Sequence, residues 1–352
     1  MALTLGALAG KIGGALHNGD PDCEVSSVAT LQHATGGDIS FLSNRSYRKY
    51  LPATRAGAVI LAPEDLPDCP VAAIVADNPY VAYAHAAALL FPPPADRQGV
   101  HPAAVVDDSC TIHASAWIGP HVVIEAGVTI DAGVQIAGGC HIGADTVIGP
   151  GCRIAPNVTI YHGVSIGARV NIAAGAVIGS DGFGLASENG KWVPVPQLGG
   201  VRIGDDVDIG ANTTIDRGAL DDTVLEEGVR LDNQIQVAHN VHIGAHTAIA
   251  GCVGISGSAH IGRHCLIGGG AGIVGHLEIT DNVVITGMTM VTRSITEPGV
   301  YSSGVPAQDN DSWNRNYARF RQLDKLARKV QRLEKQATTA SSTGSTGTGG
   351  NE

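Results

Sequence analysis

The sequence predicts a mainly β fold: a long solenoid of six-residue units, preceded by a small α/β domain and followed by an α-helix. Three observations predict it. First, an aliphatic residue recurs every sixth position from Val100 through Ile178, fourteen in a row without a miss. Second, four residues after each beat stands a small or branched residue, as at Ala116, Val122, Val128, Val134, Cys140, Thr146 and Cys152. Third, 47 glycines with only 4% aromatic residues do not suit an ordinary helical bundle or sandwich. Six residues with two inward positions describe a short strand and a turn, and stacking such units buries one narrow, continuous core.

Taken in order, residues 1–98 follow a different rule from the solenoid. DISFLS, GAVILAP and VAAIVAD read as short buried strands, and SYRKYLPATRA and NPYVAYAHAAALLF as helices. The opening MALTLGALAGKIGGAL reads as an amphipathic first helix, because Lys11 interrupts it and no basic leader or cleavage site is evident. The proline linker FPPPADRQGVHP closes this domain.

The solenoid occupies residues 99–305. After Ile178 the beat resumes at Ile203, Ile209 and Ile215, slips by four, and runs from Leu225 to Val291. Two interruptions stand out. SDGFGLASENGKWVPVPQLGG (180–200) is a glycine- and proline-rich excursion, and DRGALDD (216–222) stretches one beat to ten residues. The pattern resembles the hexapeptide-repeat left-handed parallel β-helix, in which three hexads make one eighteen-residue coil. On that resemblance the beats amount to nine to ten coils, a prism about 45 Å long. Cys140, Cys152 and Cys265 fall on the small inner column and read as core filler.

Residues 306–336 change period. Trp313, Tyr317, Phe320, Leu323, Leu326, Val330 and Leu333 form a narrow apolar seam at helical spacing. Residues 311–336 carry eight basic side chains against three acids, net +5 on a chain of net charge -11. This segment is either a solvated helix face or a docking site for an acidic partner. Residues 337–352, rich in Ser, Thr and Gly, read as a disordered tail. The acidic balance argues against nucleic acid as partner. No run of eighteen apolar residues suggests a transmembrane helix. Seven cysteines without a CxxC pair suggest a reducing, cytoplasmic setting.

The candidate site is LDNQIQVAHNVHIG, residues 231–244, where a polar cluster interrupts the monotony of the hexads. Counting eighteen residues per coil puts Gly257 and then Gly275 above His239, and Ser258 and then His276 above Asn240. A glycine column beside an outward histidine leaves room for a ligand and free backbone N–H groups to face an oxyanion. A carboxylate such as Asp232 can fix an imidazole tautomer, although spacing alone leaves open whether it reaches His239 around the corner. His242, His246, His260 and His264 lack a dense carboxylate or cysteine set, and no metal site is read there.

Four features together carry a narrower resemblance over residues 3–335: FLSNRSY in the first domain, the SDGFG excursion, TTIDRGALDD followed by LDNQIQVAHNVHIG, and ITEPGVYSSGVP before a helix. The chain resembles the UDP-3-O-(3-hydroxyacyl)glucosamine N-acyltransferases of lipid A biosynthesis. That resemblance implies transfer of an (R)-3-hydroxyacyl chain from acyl carrier protein to the 2-amino group of a UDP-3-O-(3-hydroxyacyl)glucosamine. It implies His239 as general base, Asp232 as its orienting residue and the Gly257 N–H as oxyanion donor. It further implies Phe41 and Tyr47 around the uracil with Asn44 hydrogen-bonded to it, Asn240 and His276 as substrate contacts, and Met290 as the gauge of acyl length. Arg293, Arg315 and Arg319 become contacts for the acidic carrier protein, and the chain a homotrimer. No cofactor is implied beyond the phosphopantetheine thioester of the co-substrate. Without the resemblance, Phe41 and Tyr47 read as core packing. Three rivals stay open on the hexads alone: an acyltransferase making an O-acyl sugar or using acetyl-CoA, a metal enzyme on the same prism, and a non-catalytic solenoid.

Overall fold

The structure, a computed structural model, describes residues 2–92 and 95–343. The chain divides into two compact units, residues 1–95 and 96–352.

In the first unit, five strands form one sheet in the order Ala15–His17, Ala72–Val75, Ala58–Leu61, Asp38–Phe41, Ser27–Val28. The last four run parallel and Ala15–His17 is antiparallel at the edge. Helix α1 (Leu5–Ile12) is capped by the Thr4 hydroxyl and stopped by Gly13 in the left-handed region. Helix α2 (Pro79–Leu90) starts with Asn78 as cap and proline in its first turn. Leu5, Leu8, Ile39, Ile60, Ile74 and Leu90 pack one sheet face, while Leu31, Leu42, Leu51, Val59 and Leu61 pack the other. The three expected strands are present. SYRKYLPATRA, expected as an α-helix, is instead a 3-10 segment, Arg45–Ala53, with Pro52 inside it. Proline removes a backbone donor and clashes with the preceding turn, so a full α-helix is disfavoured there.

The second unit is the left-handed parallel β-helix. Among the described residues its three parallel sheets have nine, ten and eleven strands. Register follows the eighteen-residue step: Thr111 pairs Thr129, Trp117 pairs Gln135, and Val123 pairs His141. The beat residues and the small column are buried together in one continuous core. Where the small column is polar, it bonds the wall of the next coil. The Cys140, Cys152 and Cys265 thiols donate to the carbonyls of Ala155, Gly167 and Thr280, and the Thr146 and Thr247 hydroxyls donate to those of Tyr161 and Gly262. Burial pushes the Cys152 thiol up to about 11, as suits an inert core residue.

Both interruptions are visible in the register. Val164 pairs Val201, so the excursion adds nineteen residues to one coil. It carries an antiparallel hairpin, Leu185–Glu188 with Lys191–Pro194. Thr214 pairs Gln236, so the second slip adds four. From Val224 pairing His242 the eighteen-residue step is restored.

The single C-terminal helix expected from the seam is two helices, α3 (Asn310–Phe320) and α4 (Leu323–Thr343), separated at Arg321 and Gln322. All seven seam residues are exposed. Helix α4 runs seven residues past the expected boundary at 336. The remainder of the expected tail, 344–352, lies outside the described residues.

Candidate active site

His239 follows the strand Gln236–Val237 of the ten-stranded sheet and stands at the corner leading to His242–Ile243 of the nine-stranded sheet. Strand register sets Gly254, Gly272 and Met290 above Gln236, one per coil. The same steps set Gly257, Gly275 and Arg293 above His239.

The glycine column expected from counting is therefore present, and its tightness is measurable. A Cβ on Gly257 would lie 2.5 Å from His239 Nε2 and 2.6 Å from Cε1. The Gly257 N–H meets no acceptor among the described residues, whereas the neighbouring Ser258 N–H donates to the His239 carbonyl at 2.9 Å. On the other side the long excursion lies against the ring: a Cβ on Gly182 would sit 2.7 Å from His239 Cβ. The imidazole is thus bracketed by two glycines, with Nε2 on the Gly257 side.

The other ring nitrogen, Nδ1, is 3.0 Å from Asn240 Oδ1. Asp232 is not its partner within the chain. Asp232 follows Arg230–Leu231 of the eleven-stranded sheet, accepts from the Gly251 N–H and Asn233 Nδ2, and borders a groove of about 550 Å³ on that face. Seven residues carry the chain from one corner to the next, so a whole side of the prism separates the two. Within one chain, then, the structure does not bring Asp232 to His239.

The carboxylate near His239 is Asp216, which the sequence reading passed over. Ile215 pairs Val237, so Asp216 lies one coil below the strand end that precedes His239. Applying the twenty-two-residue step downward from Ala238 would have found it; the four-residue slip hid it. Asp216 accepts from the Ser180 hydroxyl at 3.0 Å and from Gln236 Nε2 at 2.8 Å. Burial pushes its carboxyl above the usual range, opposed by those two hydrogen bonds and by the field of His239. Beneath it Arg217, 3% exposed, donates to the Gly199 and His162 carbonyls and pins the end of the excursion to an earlier coil.

The sign of the Asp216 shift gives a stability prediction. Its folded pKa is raised, so the proton's contribution to stability is complete below the unfolded pKa and is lost as pH rises through the folded value. Asp216→Asn cannot ionise. Its stability relative to the native chain, read from urea midpoints, is expected to increase as pH rises above the ordinary carboxylate range and then to level off. A difference that stays flat as pH rises would contradict a raised carboxyl.

His276 is exposed, two coils above Asn240, with its N–H on the Gly257 carbonyl. Met290 is 61% exposed and closes the top of the Gln236–Gly254–Gly272 file; a Cβ on Gly272 would come within 3.3 Å of its sulfur. Met288, also exposed, lies instead over Gly270 at another corner. Arg293, Arg315 and Arg319 are exposed and lack a carboxylate partner among the described residues. His242 and His260 stack at 4.4 Å, with Glu226 3.0 Å from His242.

In the first unit Phe41, Asn44 and Tyr47 border one cavity of about 310 Å³, together with Gln32 and Tyr80. Phe41 is stacked on Tyr83 at 3.9 Å, so one ring face is committed to packing, whereas Tyr47 is 54% exposed. Asn44 Oδ1 caps the 3-10 segment, accepting from the Ser46 N–H and hydroxyl, which leaves Nδ2 as its unused end. No helix among the described residues is long and apolar enough to cross a membrane.

With this geometry in hand, comparison with known proteins is decisive. The profile of a family described as UDP-3-O-(3-hydroxymyristoyl) glucosamine N-acyltransferase, LpxD, matches residues 22–89. Bacterial transferase hexapeptide repeats match 121–156 and 145–180. A UDP-3-O-acylglucosamine N-acyltransferase of Pseudomonas aeruginosa is 55% identical over 344 residues, covering 98% of this chain and 97% of its own. The chain belongs to the UDP-3-O-acylglucosamine N-acyltransferase family. A second relative of that description, from Coxiella burnetii, is 50% identical over 323 residues, 92% of this chain and 94% of its own. A solved Arabidopsis UDP-N-acetylglucosamine acyltransferase matches at TM-score 0.53 and 18% identity, covering 62% of this chain and 76% of that one; this likeness concerns the fold. As a member of the UDP-3-O-acylglucosamine N-acyltransferase family, the protein is an acyltransferase of lipid A synthesis.

Proposed function

We propose that the acyl donor is a (R)-3-hydroxyacyl thioester on acyl carrier protein and that His239 Nε2 is the general base. In this reading the 2-amino group of the UDP-3-O-acylglucosamine attacks the thioester carbonyl, and Nε2 takes the proton that the amine loses. The Gly257 N–H donates to the oxyanion of the tetrahedral intermediate. Collapse breaks the C–S bond and returns the proton from the imidazolium to the leaving thiolate. A thioester is already activated, so positioning, one base and one oxyanion donor suffice, with no cofactor. The observation that carries this reading is the open Nε2 beside a glycine whose N–H is unused.

Phe41 and Tyr47 hold the uracil, Asn44 offers its free Nδ2 to a uracil carbonyl, and His276 meets the phosphates. Arg293, Arg315 and Arg319 attract the acidic carrier protein. The exposed apolar seam of α3 and α4 supports a homotrimer, since such a seam is covered by copies of itself in a three-stranded bundle. The chain works in the cytoplasm, in keeping with its seven free cysteines.

The acyl chain lies along the Gly254–Gly272 file and ends at Met290. Three coils at strand spacing make about 14 Å. Met290→Ala is expected to move the preferred donor to a longer acyl chain by roughly two to four carbons, each methylene being worth about 0.8 kcal/mol. Competition between hydroxyacyl donors of graded length reads this directly; an unchanged preference removes Met290 as the gauge.

The test of the whole reading is transfer from 3-hydroxyacyl carrier protein to UDP-3-O-acylglucosamine, with the matching coenzyme A thioester as the rival donor. Turnover with the carrier protein and little with coenzyme A supports it. Preference for coenzyme A refutes the donor.

A further inference from the structure

We infer that Asn240, held by the four-residue insertion at 216–222, fixes the tautomer in which His239 acts. The inference rests on His239 being the base, and reassigns Asn240 from substrate contact to positioning residue.

An amide side chain has an accepting and a donating end, and its neighbours here leave no ambiguity about which is which. The Ala219 N–H can only donate, and it lies 2.9 Å from Asn240 Oδ1. The Asp221 carbonyl can only accept, and it lies 2.8 Å from Asn240 Nδ2. Both backbone groups come from the insertion. The oxygen end therefore faces His239 Nδ1 at 3.0 Å. An amide oxygen cannot donate, so Nδ1 carries the proton. A neutral imidazole has one N–H, so Nε2 bears the lone pair, on the side of Gly257. That is the form a general base needs.

The insertion is built for this contact. Asn240 sits in the left-handed region, φ 58°, which asparagine tolerates, and its N–H donates to the Thr223 hydroxyl at 2.9 Å. Gly218 lets the turn close, since a Cβ there would come within 2.9 Å of Asn240 Nδ2 and would collide with the Asp221 carbonyl. An uninterrupted hexad would present no Ala219 N–H and Asp221 carbonyl to the amide. Asn240 is neutral, so it sets the tautomer without adding charge; the nearby charge is Asp216, one coil below.

Two variants of the full chain compatible with the left-handed backbone test this, with His239→Ala alongside. Asn240→Gly removes the acceptor and lets both tautomers populate. Its kcat is expected to fall roughly 10- to 100-fold with KM for the sugar nucleotide nearly unchanged. Asn240→Asp still accepts from Nδ1–H but carries charge. The acid limb of its kcat/KM profile is expected to move up by about one pH unit. An acid limb that stays in place in Asn240→Asp, with Asn240→Gly within about twofold of native, would overturn the inference while leaving His239 as base. Unfolding of both variants would make Asn240 a structural staple and also overturn it. Native rates in His239→Ala would remove the underlying reading instead.

Discussion

His239→Ala is expected to lower kcat by roughly 10²- to 10⁴-fold while KM for both substrates changes little. The magnitude is what a positioned general base contributes to proton transfer. The selectivity for kcat follows from the surroundings. Among the described residues the ring hydrogen-bonds Asn240 and lies beside Gly182 and Gly257, so its truncation removes little packing. The core runs through Val237 and Val241 on either side, and both stay buried. The melting temperature is therefore expected to stay close to native, which separates a lost base from a lost fold. Steady-state kinetics with a saturating carrier-protein donor, alongside a thermal melt, reads both quantities. A fall in the melting temperature matching the fall in rate would contradict the assignment.

Gly257→Ala is expected to cost at least about 10²-fold in kcat/KM, an effect out of proportion to one methyl group. The backbone of Gly257 is not in the left-handed region, so alanine is conformationally acceptable there. The obstacle is the imidazole: the new Cβ would stand 2.5 Å from Nε2, closer than real carbon contacts come. The ring also lies close to Gly182, where an added Cβ would stand 2.7 Å from His239 Cβ and 3.2 Å from Cδ2. It must turn away from Asn240 Oδ1, or the methyl must occupy the seat of the attacking amine. Either way the nucleophile and base lose their alignment while the coil register, fixed by Ile255 against Val237 and Ile273, persists. Unaltered kinetics in Gly257→Ala would mean that the space beside Nε2 is not where the amine binds.

The stack of His239, Gly257 and Gly275 was legible in the sequence because a solenoid converts sequence spacing into spatial order, one coil per eighteen residues. Cys140, Cys152 and Cys265 were recognisable as core for the same reason. Less legible were contacts that periodicity does not encode. Within one chain Asp232 and His239, seven residues apart, occupy successive corners. Asp216 lies close to His239 only because a four-residue slip intervenes, and a count in eighteens steps past it. The partners of Asn240 are backbone groups of that slip, which carry no side-chain pattern. In the first unit, local spacing suggested an α-helix where Pro52 enforces a tighter turn. At the other end, one apolar seam masked the break at Arg321 and Gln322, since both helices continue the same face.

The central claim is that a neutral His239, with its lone pair on Nε2, takes the proton of the amine. The most direct measurement is kcat/KM for acyl transfer from pH 5 to pH 9, in the native chain and in the residual activity of His239→Ala. The account predicts a native profile with an acid limb rising to a plateau, and a variant profile from which that limb is absent. The same limb in both proteins would contradict it, because the ionising group would then be something other than His239.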